Sequence, residues 1–228
     1  VTDPLTAPSE GRLRQLFDYM QEFKPHFLVE LPRFQPSRHH NAEARRALRK
    51  LEVVELSEPG HHAEAWCELY AGLMARKRIS GAAAFSPTSL RRQLHVSGVR
   101  VFAALRHGQM CGMQLWYRCE DRAYYHLAAS SEVGYRDGAA YALMHSALHT
   151  FAAEGLREAN LGGVPDGQPQ SSGLDYFKRG WANGTGMAHV CGKILQPERY
   201  RALSGKSPAP GYFPAYRRPH RSTSDAPQ

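Results

Sequence analysis

Acidic residues are missing from a long central stretch of the sequence. No Asp or Glu occurs between Leu69 and Cys119, whereas eight Lys and Arg residues do. The whole chain of 228 residues carries a formal net charge of +8. A basic surface attracts nucleic acid, phosphorylated substrates or anionic lipid, although a solvated basic face is common in proteins that bind none of these. The charge therefore favours an anionic partner without identifying one.

Long apolar runs are also absent. No stretch of 18 or more apolar residues occurs, so the sequence predicts no membrane-spanning helix. The first residues lack the positive-then-apolar pattern of a secretory signal, and we therefore expect a cytoplasmic protein. The hydrophobic content of 42% is sufficient for a packed core.

The sequence has few residues arranged for metal binding. Its four cysteines lie far apart and show no C-x-x-C spacing, which predicts buried, reduced thiols rather than a zinc site or disulfides. They are Cys67, Cys111, Cys119 and Cys191. His145 and His149 share a helix face, but no HExxH motif accompanies them. We therefore predict no metal, and the sequence identifies no certain general base.

The hydrophobic pattern predicts an α/β (α+β) fold with a mixed, mostly antiparallel sheet flanked by helices. Strands are predicted at 26–31, 52–56, 99–105, 110–117, 123–129, 158–161 and 187–195. Helices are predicted at 38–51, 61–77, 87–96 and 138–154, with a compact turn at 173–181 and a short helix from Pro197. The long helix joins strand 123–129 to strand 158–161, which implies that these two strands are parallel neighbours. Residues 1–25 are expected to form an irregular or helical lead-in.

The segment 160–181 combines features of a ligand cleft. Gly162 and Gly163 follow a short strand and permit close approach of a backbone or a ligand. A polar loop leads to a turn that contains Phe177, Lys178 and Trp181. A lysine fixed by aromatic neighbours suits an anionic or polarised substrate group. The alternative is a surface lysine on a turn whose aromatic residues fill the core.

Four stretches together resemble the Fem family: SRHHNAEARRALRK, AYYHLAASS, EGLREANLGG and GLDYFKRGW. Fem enzymes are aminoacyltransferases, similar in fold to acyl-CoA N-acyltransferases (GNAT), that transfer an amino acid from aminoacyl-tRNA to an amine. The resemblance implies a GNAT-like domain at 52–204, a remnant of a first lobe at 1–51 and a Pro/Arg-rich tail at 205–228. It also implies aminoacyl-tRNA as co-substrate, no bound cofactor, and an acceptor amine on a peptide or small molecule, such as a cell-wall precursor. A homodimer or a partner chain would complete the cleft.

The resemblance implies a role for Lys178, which matches the lysine of the family's F-K-x-G-F/W turn. That lysine contacts the substrate and stabilises negative charge at the acyl carbonyl. Phe177, Gly162 and Gly163 belong to the same expected substrate site. The basic helix matches an arginine-rich helix of the family, and its charges share one face suited to tRNA phosphates. Those charged residues are Arg45, Arg46, Arg49 and Lys50.

Further candidates come from the residues themselves. Tyr125 lies on a predicted strand, where its hydroxyl group would bind the acceptor or pass a proton at the cleft edge. The alternative is that Tyr124 and Tyr125 form an ordinary aromatic pair of the strand. Arg76 and Arg78 end a helix, which explains them structurally through the helix dipole, and they are also candidates for holding a substrate phosphate. Arg136 belongs to a partial match, YRDGAAYAL, to the GNAT phosphate-binding loop.

Two other functions remain open on the sequence alone. One is an acetyl-CoA- or acyl-CoA-dependent N-acetyltransferase, with the pyrophosphate near residues 134–140. The incomplete loop in YRDGAAYAL disfavours this function. The other is a GNAT-like module without catalytic activity that binds tRNA or a partner protein.

Overall fold

The computed structural model describes residues 1–164, 173–204 and 213–217, which contain eight α-helices and seven strands. The helices are α1 (Glu10–Leu16), α2 (Arg38–Leu48), α3 (Ala63–Lys77), α4 (Pro87–Gln93), α5 (Glu132–Asp137), α6 (Ala139–Ala153), α7 (Gly173–Arg179) and α8 (Pro197–Ser204). The strands are β1 (Tyr19–Glu30), β2 (Glu52–Glu55), β3 (Val99–Arg106), β4 (Gln109–Cys119), β5 (Arg122–Ser130), β6 (Glu158–Asn160) and β7 (Gly184–Gly192). No helix in these three ranges is long and apolar enough to cross a membrane.

The strands form one mixed sheet in the order β2-β3-β4-β5-β6-β1-β7. Strands β2 to β5 pair antiparallel in succession, β5 pairs parallel with β6, and β6 pairs antiparallel with β1. This arrangement confirms the predicted mixed, mostly antiparallel sheet. It also confirms that the long helix α6 crosses between two parallel neighbours.

The short connections of the meander follow from turn chemistry. His107 and Gly108 join β3 to β4 with φ angles of 49° and 77°, the left-handed conformation that two-residue hairpin turns require. Ser37, Ser86 and Ser131 accept a backbone hydrogen bond at the starts of α2, α4 and α5. The first two caps confirm helix starts predicted from the sequence.

Several element boundaries differ from the predictions. Strand β1 begins at Tyr19 rather than at residue 26. Its first part was not predicted as a strand because it is polar, buries little and shows no clear hydrophobic alternation. Helix α5 was not predicted, and Gly138, with φ 82°, separates it from α6. All four cysteines are free, but only Cys111 is buried and Cys119 is exposed, so the prediction of four buried thiols was wrong. The polar loop 165–172 and most of the tail 205–228 lie outside the described residues.

The chain divides into two compact units. The unit of His26–Gly186 has apolar layers on both faces of its strands. One layer includes Leu143, Leu148 and Phe151 of α6, and the other includes Trp66 of α3 and Leu90 of α4.

The second unit comprises Val1–Pro25 and Met187–Gln228. In it, Thr2 N–H donates to the His189 carbonyl at 2.8 Å, and the Asp18 carboxylate accepts from Ile194 N–H at 2.7 Å. Helix α1 buries Leu13. All the candidate site residues lie in the larger unit.

An ion-pair network connects β2, β3 and the end of α6. Arg100 is mostly buried and binds the carboxylates of both Glu55 and Glu154, the latter at 2.6 and 2.8 Å. Arg118 also contacts Glu154 at 3.3 Å. Hydrogen bonds from Arg100 lower the pKa of Glu154, and their effect is larger than the opposing effect of burial.

We expect Glu154→Gln to lower the free energy of unfolding at pH 7 by about 1 kcal/mol, since the network is only partly exposed. A carboxylate with a lowered pKa contributes stability above its unfolded pKa and loses it as the pH falls. The difference between Glu154→Gln and the unsubstituted protein should therefore shrink below pH 4.5. Urea unfolding at pH 7 and pH 3.5 measures both values, and an equal difference at both pH values would contradict the assignment.

Candidate active site

A gap opens between the two parallel strands β5 and β6. They pair over only three positions, which end with Tyr124 opposite Asn160. Beyond this point the chain after β6 bonds to β1, through Leu161 N–H to the Phe27 carbonyl and Phe27 N–H to the Gly162 carbonyl. The register between β4 and β5 also shifts at His126, which forms a bulge. A crevice beyond the end of a parallel pair is where ligands bind in α/β folds.

The turn after β6 is built by Asn160 and Gly162. The buried Asn160 side-chain oxygen accepts from Gly162 N–H at 2.8 Å and from His26 Nδ1 at 3.1 Å. Gly162 has a φ of 71°, a conformation that costs glycine little and other residues more. This turn directs the Gly163 carbonyl oxygen toward the amino group of Lys178.

Lys178 of α7 places its ammonium group in this gap. Its Nζ donates to the Gly163 carbonyl oxygen at 2.6 Å and lies 5.5 Å from the centre of the Tyr125 ring. The residue is only 5% exposed. A Cβ atom added at Gly162 would lie 3.6 Å from this Nζ. Burial of a lysine is rare, so a cation held by a carbonyl group and a ring face marks a functional-site candidate.

Tyr125 is held by a buried polar pair on β4. The Trp116 indole N–H donates to the Gln114 side-chain oxygen at 3.0 Å, and Gln114 is buried. An indole is only a donor, so the Gln114 amide group presents its N–H₂ to the Tyr125 hydroxyl group. Burial raises the pKa of Tyr125 to about 12, although the hydrogen bond from Gln114 acts in the opposite direction. At neutral pH the hydroxyl group is therefore protonated and acts as a hydrogen-bond donor, not as a base.

Helix α7 is fixed to the start of α2 by His40. The His40 Nε2–H group donates to the Phe177 carbonyl at 3.1 Å, and the Ser37 hydroxyl group donates to His40 Nδ1 at 2.8 Å. Ser37 N–H also donates to the Gly180 carbonyl at 2.8 Å. Burial lowers the pKa of His40, which keeps this imidazole neutral. The first turn of α2 thereby satisfies backbone carbonyls of α7 and fixes the helix that carries Lys178.

Phe177 and the two glycines lie around Lys178 in different ways. Gly162 and Gly163 belong to the turn that contacts its ammonium group, and their place in a substrate site stays a prediction. The Phe177 ring packs instead against Tyr141, at 5.2 Å between ring centres. Phe177 therefore fixes α7 in the core layer.

The structure separates the predicted arginines from Lys178. Arg76 donates to the Ser130 carbonyl at 3.1 Å, and Ser130 lies five residues, or about 16 Å, along β5 from Tyr125. Arg76 also lines a groove of about 600 Å³ with Glu68 and Glu132. Arg78 ends α3 with a φ of 51°, and Arg136 is exposed in the last turn of α5.

The basic residues of α2 divide into two groups. Arg45, Arg46 and Arg49 are exposed, and Arg46 pairs with Glu43 at 2.6 Å. Lys50 instead lies 3.1 Å from the buried carboxylate of Asp137, which Arg106 also contacts. Lys50, although itself half exposed, therefore neutralises a buried acid, and the three arginines face solvent.

The described residues contain no group of three or more His, Cys, Asp or Glu side chains arranged to hold a metal ion. The rings of His145 and His149 contact each other in a tilted arrangement, with 4.2 Å between ring centres. Burial, with smaller contributions from His149 and Arg45, lowers the pKa of His145 to about 4. This pair is neutral and packs beside Trp181 and Phe34.

Three residues of the site were missed by sequence reasoning: Asn160, Gln114 and His40. Gln114 is a polar residue in a mostly apolar stretch of β4, and Asn160 directly precedes the Leu161-Gly162-Gly163 segment, so the sequence contained a signal for both. His40 follows a helix cap by three positions, but its contact with α7 spans 137 residues. No local pattern reveals a contact of that range.

Comparison with known proteins identifies the fold family. The model of the acetyltransferase (GNAT) domain family matches residues 38–179, more than half of the chain. No curated protein matches the chain at the significance required.

Three solved structures share the fold. FemX is 11% identical with a TM-score of 0.62, and the match covers 82% of this chain and 69% of FemX. The C-terminal domain of a protein assigned as a lysylphosphatidylglycerol synthetase from Agrobacterium fabrum is 18% identical with a TM-score of 0.60, covering 79% of this chain and 63% of that one. L-PGS from Bacillus licheniformis is 16% identical with a TM-score of 0.59, covering 83% and 66%. At these identities the likeness is one of fold, and the family match establishes that the chain belongs to the acetyltransferase (GNAT) family of acyltransferases.

Proposed function

We propose that this protein transfers an aminoacyl group from aminoacyl-tRNA to an amine on a peptide or small molecule. The observation that carries the proposal is the buried ammonium group of Lys178, held in the gap between β5 and β6. Acyl transfer develops negative charge on the carbonyl oxygen, and a preorganised donor in a site of low dielectric stabilises that charge most strongly.

In the proposed step, the neutral amine nitrogen attacks the carbonyl carbon of the aminoacyl ester. The Lys178 ammonium group donates a hydrogen bond to the oxyanion, and the protonated hydroxyl group of Tyr125, whose ring lies beside that ammonium group, would be a second donor. The new C–N bond forms, the C–O bond to the tRNA ribose breaks, and one proton of the amine goes to the departing ribose oxygen. Correct positioning of both substrates supplies much of the rate in such a reaction.

Two observations favour aminoacyl-tRNA over coenzyme A as donor. The exposed arginines of α2, which are Arg45, Arg46 and Arg49, suit a phosphate backbone. In addition, the segment before α6, where a pyrophosphate would bind, forms the short helix α5 and ends in the buried carboxylate of Asp137. A carboxylate there supplies the negative charge that the start of α6 favours.

The experiment is a transfer assay with two donors. Total tRNA charged with labelled amino acids and labelled acetyl-CoA are offered separately to the purified protein with primary amines and a metabolite extract. We expect label to move from tRNA to a small acceptor. Label moving only from acetyl-CoA would overturn the choice of donor, and no transfer from either would overturn the proposed enzyme function.

A further inference from the structure

A cluster of rings lies on the outer side of α7 and the helices beside it, with three of them exposed and Tyr141 half-buried. Tyr176 is 52% exposed, and its ring centre lies 5.9 Å from that of His39 on α2. His39 lies 6.3 Å from Tyr141 at the start of α6. Tyr135 lies in the last turn of α5, six residues before Tyr141, and is also exposed. We call Tyr135, Tyr141, Tyr176 and His39 the ring surface.

The ring surface is bordered by positive charge. Tyr135 is 66% exposed, and the Arg76 guanidinium group lies 5.4 Å from its ring centre. From His39, the exposed side of α2 continues as a row of arginines over about 16 Å, at 1.5 Å per residue. The row is Arg38, Arg45, Arg46 and Arg49. The only acid on α2 is Glu43, which Arg46 neutralises at 2.6 Å.

Exposed rings next to a row of arginines form the arrangement that binds single-stranded nucleic acid. Bases stack on the rings, and the arginines follow the phosphates. Large exposed aromatic residues are uncommon on a surface without a partner. The arginine row favours a polyanion over an apolar peptide as the ligand, and the rings favour a ligand with bases over one with phosphates alone.

We propose that the ring surface binds the unpaired nucleotides at the 3′ end of aminoacyl-tRNA, an inference that rests on the function proposed above. Tyr176 and Lys178 are two residues apart in α7 and therefore point to different sides of the helix. A base stacked on Tyr176 would lie about 10 Å, one helix diameter, from the gap that holds Lys178, a distance that several unpaired nucleotides span. The ester to be broken is attached to that terminal nucleotide. The ring surface therefore orients the donor, while the arginine row binds the adjoining backbone.

Anisotropy of labelled RNA tests this site directly. The probes are a short RNA hairpin ending in an unpaired ACCA and the same hairpin with a blunt end. Loss of one stacked base corresponds to about tenfold weaker binding. We expect the overhang to strengthen binding by at least this factor, and Tyr176→Leu or Tyr135→Leu to remove the gain. Tyr176→Phe should retain it, and so should Tyr216→Leu, which removes an exposed ring from the other unit.

The outcomes separate the ring surface from the proposed function. Equal binding of both hairpins would overturn the assignment of the ring surface to unpaired nucleotides. The same conclusion would follow if Tyr176→Leu kept both its melting temperature and the full gain in affinity from the overhang. Ring-dependent RNA binding without aminoacyl transfer would support the surface and overturn the function. Coenzyme A also carries an adenine and phosphates, so it is the competitor: ring-dependent binding of coenzyme A but not of the overhang would overturn the assignment to RNA.

Discussion

Lys178→Met should lower the rate of transfer by about 100-fold to 1,000-fold, the effect of removing one oxyanion donor from a preorganised site. Methionine keeps much of the side-chain length but has no charge and no N–H donor, while the Gly163 carbonyl loses the partner that it has at 2.6 Å. The loss should appear in kcat more than in KM, because the charge on the carbonyl oxygen develops in the transition state. Steady-state kinetics with saturating donor measures both constants.

Two variants make this result specific. Lys77→Ala removes an exposed lysine at the end of α3 and should leave both constants unchanged. Lys178→Arg keeps the charge, but the planar guanidinium group presents its N–H donors in a different geometry from an ammonium group, so the rate should stay well below that of the unsubstituted protein. Transfer by Lys178→Met at more than a third of the normal rate would rule out the oxyanion role.

The sequence predicted the sheet because its strands carry local signals. Alternation, the His107-Gly108 turn and the length of α6 are each readable within about ten residues, and they determine the meander and its parallel neighbour. The glycines beside Lys178 were also recognisable from a local signal, because they follow a short strand. The first part of strand β1, before residue 26, was not predicted because it is polar and contributes few buried residues.

The site was harder to predict because its contacts are long-range. The sequence identified Lys178 and Tyr125 separately, but 53 residues separate the two that meet at 5.5 Å. It also grouped Lys50 with the arginines of α2, since charge spacing does not reveal the buried Asp137, 87 residues away. Arg76 resembled a helix-end cation, and its contact with Tyr135 depends on the packing of α3 against β5.

Gly180→Ala should destabilise the fold and slow transfer together. A Cβ atom at this position would lie 2.0 to 2.4 Å from three atoms of the His40 imidazole ring. His40 is only 1% exposed and is held by Ser37 and the Phe177 carbonyl, so its ring has no space to move. Overpacking of this kind costs about 1 to 3 kcal/mol. Because the end of α7 must move, Lys178 shifts as well, and a displacement of about 1 Å lowers a rate up to 100-fold.

Thermal unfolding gives the first measurement, with an expected drop of roughly 3 to 10 °C for a chain of this size. Gly72→Ala is the matched control, since nothing lies within 4 Å of its added Cβ atom. Gly72 is exposed within α3, so alanine there should raise stability by about 0.5 to 1 kcal/mol. The same substitution is thus expected to act with opposite signs at the two positions.

A double-mutant cycle with His40→Ala locates the cause. If the imidazole ring is what the new methyl group meets, Gly180→Ala should cost much less in the His40→Ala protein than in the unsubstituted one, with a coupling of about 1 kcal/mol or more. His40→Ala alone removes the hydrogen bond that satisfies the Phe177 carbonyl, so it should also slow transfer without touching the substrate. Additive effects on unfolding would mean that α7 is fixed by its core aromatic residues, such as Trp181, and not by its contact with α2.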